Sequence, residues 1–353
     1  MSKPKKILIA PLDWGIGHVT RCIPLILFYK SLGHQIDLAC NENQRCIIEA
    51  YTDDIDFIPL KGYQISYAKH KSLFNLKIVL QIPKIVSSII QEHIFLKKLV
   101  KESKYDLIIS DNRYGFFHRK IKSHIITHQL QIQAPNSFSM MLINGINRFL
   151  INRFDSCWVP DYHDAAMSGQ LSNNKGIQRI AYLGNLSRLQ LLENLSIQYD
   201  ILILLSGPEP QRTLLEKKLI EQLPKNKRIA FVRGCITTTN LPNIGHVSFF
   251  DFLSGTALNQ LICQSACVIC RSAYSTLMDL IKLNKHAILI PTSGQTEQEY
   301  LANHFEQQNW SMQAQQENLD LEKSYADFLS KTFFPYPKFN FEQYKNVLLE
   351  AII

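Results

Sequence analysis

Residues 265–303, SACVICRSAYSTLMDLIKLNKHAILIPTSGQTEQEYLAN, constrain the fold more than any other stretch. Cys267-Val268-Ile269-Cys270 is a short apolar run of the kind a strand buried on both faces needs. It breaks at Arg271-Ser272-Ala273, and helical periodicity follows from Tyr274 to Leu283. His286 to Ile290 is a second apolar strand, ended by Pro291, and a polar loop then leads into a helix beginning near Glu297. Strand, helix, strand and helix at this spacing predict a right-handed βαβ unit of a parallel sheet. Such sheets bind ligands beyond the carboxyl ends of their strands. Here those ends carry Arg271, Ser272, Ala273, Tyr274, Ser275 and Thr276, and then Ser293, Gly294, Gln295, Thr296, Glu297, Gln298 and Glu299. Hydroxyls, amides and carboxylates dominate both loops, and each opens a helix whose free N–H groups suit a phosphate. Polyol and diphosphate chemistry fits these loops better than hydride or acyl transfer.

The amino end opens in the same style. Ile7 to Ala10 reads as a buried strand, residues 11–18 (PLDWGIGH) as a turn, His18 to Leu32 as a helix stopped by Gly33, and Ile36 to Cys40 as the next strand. The glycines are spaced G-x-G-H, without the third glycine of the dinucleotide fingerprint and without an acid ending the second strand, so a nicotinamide or flavin site is weakly supported. No Walker lysine is present. Gly15 and Gly17 would let backbone pass close to a reacting centre. His18 at a helix start would be held neutral by the helix dipole, as a base or simply as a cap. Arg21, one turn on, can share its face and hold an anion.

Further along, residues 63–103 are helical in pattern, with Pro83 as kink or boundary. Tyr105 to Asn112 is a strand running into a polar loop, and Ser123 to Thr127 a strand ending at His128. Asp111, Asn112 and His128 therefore belong at the carboxyl ends of strands, where ligands bind. The apolar stretch 136–154 reads as a helix that either packs into the core, the preferred reading, or lies on a membrane surface. Asp54-Ile55-Asp56 spells DxD, but in an acidic turn away from any donor strand, and reads as surface. Ile201 to Leu205 opens a second strand–glycine loop–helix element through Ser206, Gly207 and Arg212, which suit a donor phosphate. Arg228–Val232 and His246–Phe249 are later strands, with Phe250 beyond the last.

Two stretches carry a family resemblance. The pattern CRS-x-x-x-T-x-x-D, then a strand ending in proline, then Q-x-E-Q-x-x-x-A-N resembles the donor site of family 28 glycosyltransferases. The resemblance implies that Asp279 holds the ribose hydroxyls of UDP, that Ser272 and Thr276 lie near the diphosphate, and that Gln298 and Glu299 read the sugar. Ala273 replaces a common glycine, and Asp279 and Glu299 stand where Glu and Gln are usual. The GxGH loop resembles the amino-terminal loop of GT-B enzymes, and GIGHVTRC (residues 15–22) is also similar to the UDP-sugar hydrolases of pseudaminic acid synthesis.

The chain's 353 residues exceed a single core, and 46% hydrophobic content without low-complexity tracts marks an ordered protein. A charge of +8, from 38 basic and 30 acidic residues, suits anionic substrates or lipid head groups but is too dispersed to argue for nucleic acid. Cys267 and Cys270 point to opposite faces of a strand and cannot chelate one ion, so the eight cysteines read as thiols in a reducing compartment. No apolar run approaches the ~18 residues of a spanning helix.

The expected architecture is α/β of GT-B type, two Rossmann-like domains facing across a cleft. Residues 1–185 form the acceptor side, 186–335 the UDP-sugar side, and 336–353 a helix crossing back. The expected activity is inverting, metal-independent sugar transfer to an acceptor hydroxyl, such as a glycolipid or envelope saccharide, with His18 or Asp111 as base. A UDP-sugar hydrolase and a non-catalytic sugar-nucleotide binder stand as alternatives. No cofactor, metal or nucleic-acid partner is expected. The expected location is cytoplasmic, with the inner membrane face as a peripheral contact.

Overall fold

A computed structural model describes residues 3–63, 81–133, 137–235 and 242–353. They divide into two compact units, one running up to Arg188 and taking in Phe339–Ile353, the other lying within Leu189–Lys338.

The first unit is built on a parallel sheet of seven strands in the order β3-β2-β1-β4-β5-β6-β7. These are β1 (Lys6–Pro11), β2 (Gln35–Cys40), β3 (Asp56–Pro59), β4 (Leu107–Asp111), β5 (Lys122–Ile126), β6 (Ser156–Val159) and β7 (Ile180–Tyr182). Ile7, Leu8, Ile9 and Ala10 of the central strand are wholly buried, as a strand covered on both faces must be. Each large aliphatic side chain so buried contributes about 1.5–3 kcal/mol. Helix α1 (Gly17–Ser31) links β1 to β2. It ends where Gly33 turns left-handed at φ +79°, with the Gly33 and His34 amides donating to the carbonyls of Lys30 and Tyr29. Helix α2 (Glu42–Glu49), which the apolar periodicity does not announce, starts on a reciprocal capping box between Asn41 and Gln44.

Helix α3 (Ile82–Glu102) places Pro83 in its first turn, so the proline is a boundary and not a kink. The amino-terminal part of the helix expected over 63–103 lies outside the described residues. Helix α4 (Ser137–Ile151) corrects the core-packed expectation for the 136–154 stretch. Its buried side chains are Asn144, Asn147 and Ile151, while Phe138, Met141, Leu142, Ile143, Ile146 and Phe149 are exposed. The asparagines face inward because loop backbone needs them: Asn144 bonds both the amide and the carbonyl of Ile132, and Asn147 donates to the Gln129 carbonyl and accepts from Tyr114.

The second unit has a six-stranded parallel sheet ordered β10-β9-β8-β11-β12-β13. Its strands are β8 (Tyr199–Leu204), β9 (Ile229–Val232), β10 (Val247–Phe250), β11 (Ser265–Cys270), β12 (Ala287–Leu289) and β13 (Met312–Gln313). The helices are α5 (Gln211–Ile220), α6 (Gly255–Cys263), α7 (Tyr274–Lys282), α8 (Thr296–Gln307) and α9 (Leu321–Ser330). The core gathers Ile203, Leu215, Phe231, Ile269 and Ile288 on one face of this sheet. Helix α10 (Gln343–Ile352) belongs to the first unit, where the carbonyl of buried Leu348 accepts from the Tyr29 hydroxyl at 3.1 Å. No described helix is long and apolar enough to cross a membrane.

Candidate active site

In the first unit, adjacent parallel strands bring the GxGH loop and the ends of β4 and β5 together. Pro11 is in register with Asp111, and Asp111 with Ile126. The loop after β1 is tied down on several sides. Gln44 donates to the Leu12 carbonyl, Asp13 accepts from the Tyr63 amide, and Gly15 turns at φ +86°, where a side chain would be strained. Beneath it lies fully buried Arg113, donating to the Pro11 carbonyl at 2.7 Å and paired with buried Glu92, which also accepts from Tyr63. Burial pushes the Glu92 carboxyl up, against the pull of Arg113 and Tyr63.

Five side chains meet at the strand ends. His18, in the first turn of α1, has its Nδ1 2.8 Å from Oδ1 of Asp111. Arg21 grips the same carboxylate, its Nε 2.5 Å from Oδ2 and its terminal nitrogen on Oδ1. The other terminal nitrogen of Arg21 lies 3.4 Å from Nδ1 of His128, and the Cys22 thiol sits 3.7 Å from Oδ2. Asp111, Arg21 and His128 are buried, and only His18 keeps an edge exposed, 15% of its side chain. Burial opposes ionisation of Asp111, but Arg21 and His18 overcome it and hold the carboxyl down at about 2. The carboxylate is therefore an acceptor only, and a hydrogen bond to it from His18 Nδ1 belongs to the tautomer whose Nε2 carries the lone pair; a terminal nitrogen of Arg21 also lies 3.0 Å from that Nδ1. Burial lowers the His18 pKa below its usual value; Asp111 opposes the shift, while Arg21 and His128 add to it.

This arrangement separates two residues that the sequence offered as interchangeable bases. Asp111 is clamped and strongly acidic, hence a poor proton acceptor, whereas His18 is neutral and reachable. Arg21, read as an anion holder, is instead engaged with Asp111. Cys22 was not singled out by sequence, although GIGHVTRC contains it. Asn112 follows Asp111 in a left-handed turn at φ +55°, its amide on the Ile126 carbonyl and its Oδ1 buried without a partner. Gly17 is the first residue of α1.

In the second unit, several expected donor ligands are engaged with the protein itself. Arg271 is buried at the end of β11, donating to the carbonyls of Ile290, Pro291 and Gln211 at 2.9–3.2 Å. Burial lowers its pKa to about 10, so it stays charged at neutral pH. Buried Ser272 donates to the Gln298 carbonyl, and Gln298 accepts from the Thr292 amide through Oε1. Tyr274 and Asp279 are buried on α7. Arg212 pairs with Glu209 and Glu216, and Glu216 and Asp251 pair with Arg233, so Arg212 belongs to a closed ionic network. Glu299 accepts from the Gly294 amide at 3.0 Å.

The half-buried residues Ala273, Ser275 and Thr276 line the start of α7, whose N-cap residue, Ala273, makes no side-chain cap. Gln295 holds the equivalent position before α8, again without a side-chain cap, and its Oε1 is buried and unpartnered. Ser206 is half-buried and Gly207 exposed at φ +105° after β8, while Phe250 is half-buried at the end of β10. Among the described residues, no three His, Cys, Asp or Glu side chains gather to hold a metal ion.

Residues 235–346 match the glycosyltransferase family 28 C-terminal domain. The chain resembles family 28 glycosyltransferases, with the GT-B fold. An archaeal protein from Methanosarcina mazei, described as an uncharacterized glycosyltransferase, is 21% identical over 336 residues, covering 86% of this chain and 84% of its own length. The glycotransferase of kitacinnamycin superposes with a TM-score of 0.65 at 11% identity, over 99% of this chain and 95% of that one. The glycosyltransferase SsfS6 of Streptomyces sp. SF2575, solved with thymidine diphosphate, gives 0.62 at 13% identity, over 99% and 95%.

Proposed function

We propose that this protein transfers a sugar from a UDP-sugar to an acceptor hydroxyl with inversion, using His18 as the base. The observation that carries this reading is the His18–Asp111 pair, clamped by Arg21. The acceptor hydroxyl gives its proton to Nε2 of His18 while its oxygen bonds the anomeric carbon. The bond from that carbon to the diphosphate breaks on the opposite face, and the electron pair leaves with UDP. Asp111 stabilises the imidazolium and keeps the ring in the productive tautomer. The uncapped start of α7, in the family 28 domain, supplies N–H groups for the diphosphate, a role a metal ion plays in other transferases. Asp279 on the same helix is assigned to the ribose, and Thr276 and Gln295 to the diphosphate-sugar. A glycolipid or envelope saccharide is the acceptor class this reading favours.

One observation favours hydrolysis as the second reading. His18, Arg21 and Cys22 of the hydrolase-like GIGHVTRC stretch all converge on Asp111, so the motif is organised as one unit. Water would then take the place of the acceptor hydroxyl. The test incubates the protein with a panel of UDP- and dTDP-sugars, with and without a membrane-lipid extract, and follows nucleoside diphosphate release. Release that requires the extract is expected; equal release in buffer alone would establish the hydrolase. No release from any sugar, despite nucleotide binding, would identify a binder and defeat both.

A further inference from the structure

We infer that Trp14 is the platform on which the accepting saccharide lies, a pyranose ring stacked on the indole with its hydroxyl turned to His18. The inference rests on the transferase reading above and adds to it a residue that holds the acceptor. Of the three tryptophans, Trp158 and Trp310 are buried, at 1% and 6% exposure, while Trp14 is 39% exposed. It stands in the GxGH loop, four residues before His18. The Leu12 amide donates to the Asp111 carbonyl at 2.9 Å, so the loop is bonded to the residue that orients His18. Trp14 follows two residues on, which places its Cα within about 7 Å of that of Leu12.

An exposed aromatic ring standing singly is ordinary; one braced from the interior is not. The edge of buried Tyr63 meets the indole at 89°, with ring centroids 6.3 Å apart. The Tyr63 hydroxyl donates to Glu92 at 2.8 Å, Glu92 pairs with Arg113, and Arg113 donates back to the Pro11 carbonyl. These contacts start and end on one loop, at Pro11 and Trp14. Asp13 closes the other side by accepting from the Tyr63 amide, and Gly62 leaves room for it, since a Cβ there would collide with the Asp13 carboxylate. A buried ion pair gives a unit little stability over apolar side chains of the same size. What this one supplies is a fixed direction for the loop and its indole. A pyranose has an apolar C–H face and a rim of hydroxyls. The indole suits the face, and His18 and half-buried Asn112, on either side of Asp111, suit the rim. With Asp13, His18 and Asn112 polar around the loop, a saccharide fits better than a flat aromatic acceptor.

The test reads binding and turnover separately. Because Trp158 and Trp310 are buried, the difference in emission between wild type and Trp14→Phe reports on Trp14. The full chain, with and without UDP, is titrated with the methyl glycosides of glucose, galactose, mannose and N-acetylglucosamine. At least one should change the Trp14 emission and protect it from acrylamide quenching. In the transfer assay Trp14→Ala should raise the acceptor KM by about ten-fold, with kcat and the donor KM within about two-fold of wild type. Tyr63→Leu should raise the acceptor KM by about three-fold, and Tyr63→Phe, which keeps the ring edge, should restore it. An unchanged circular dichroism melt verifies that each variant folds. Emission unmoved by every glycoside, protection by a phenol but by no glycoside, or a wild-type acceptor KM in Trp14→Ala would overturn the platform and leave transfer standing. Protection by a glycoside without transfer would support the platform and defeat the transferase reading instead.

Discussion

The two units use buried arginines in opposite ways. In the first, Arg21 holds a carboxylate whose other contact is a histidine with an edge open to solvent. In the second, Arg212, Arg233, Glu216 and Asp251 satisfy one another, and Arg271 ends on backbone carbonyls. A network of matched charges builds architecture, because each group in it is already held by another. A chain of charges that terminates on a partly exposed, neutral imidazole is equipped for chemistry.

The largest effect expected from this contrast is at the open end. His18→Ala should lower turnover by roughly 10²–10⁴-fold and leave nucleotide affinity and the melting temperature nearly unchanged. Steady-state kinetics beside calorimetric nucleotide titration measure both, and wild-type turnover would remove His18 from the mechanism. The closed side should respond in stability. Arg271→Met orphans three buried carbonyls and should cost about 3 kcal/mol or more in urea unfolding. A loss confined to nucleotide affinity would show that Arg271 faces ligand after all.

The subtlest expectation is a shift along the pH axis. Asp111 and Arg21 contact the His18 ring, and His128 acts on it electrostatically from beyond Arg21. Burial and Arg21 both lower the His18 pKa, so the acid limb of the rate profile should lie below the usual histidine value, activity falling as pH drops through it. Arg21→Gln removes one of those lowering influences, so the limb should move to higher pH. A limb that stays in place while activity falls uniformly would make Arg21 a packing residue only.

Much of this arrangement could be read from residue order. Both parallel sheets follow from short apolar runs ended by polar loops, and strand ends naturally carry Asp111 and His128. What sequence could not supply is the reach of long side chains. Arg21 sits one helical turn from His18, yet whether it meets solvent, substrate or Asp111 depends on strand β4, ninety residues away in sequence. Arg271 and Arg212 make the same point: a loop arginine beside a phosphate-like site has backbone carbonyls and glutamates as competing partners. Helix α4 failed differently. Periodicity shows that a helix has two faces, but its few amides carried the inward one because Ile132 and Gln129 needed hydrogen bonds. The capping box of Asn41 and Gln44 was visible in principle, as N-x-x-Q, and marks a helix that apolar spacing alone conceals.

Helix α10 gives the chain an awkward order of manufacture. The first unit is interrupted by the whole of the second and receives its last piece, Phe339–Ile353, only after Leu189–Lys338 has been made. During synthesis the second unit can complete its sheet, while the Tyr29 hydroxyl still lacks the Leu348 carbonyl and Phe28 its edge contact with Tyr344. The nascent first unit therefore stays open along α1 until residues 339–353 have been made, and a ribosome that stalls before them releases a chain in which one unit is finished and the other is not. Such a product exposes apolar surface on one unit alone, the kind of lesion that chaperones and proteases read.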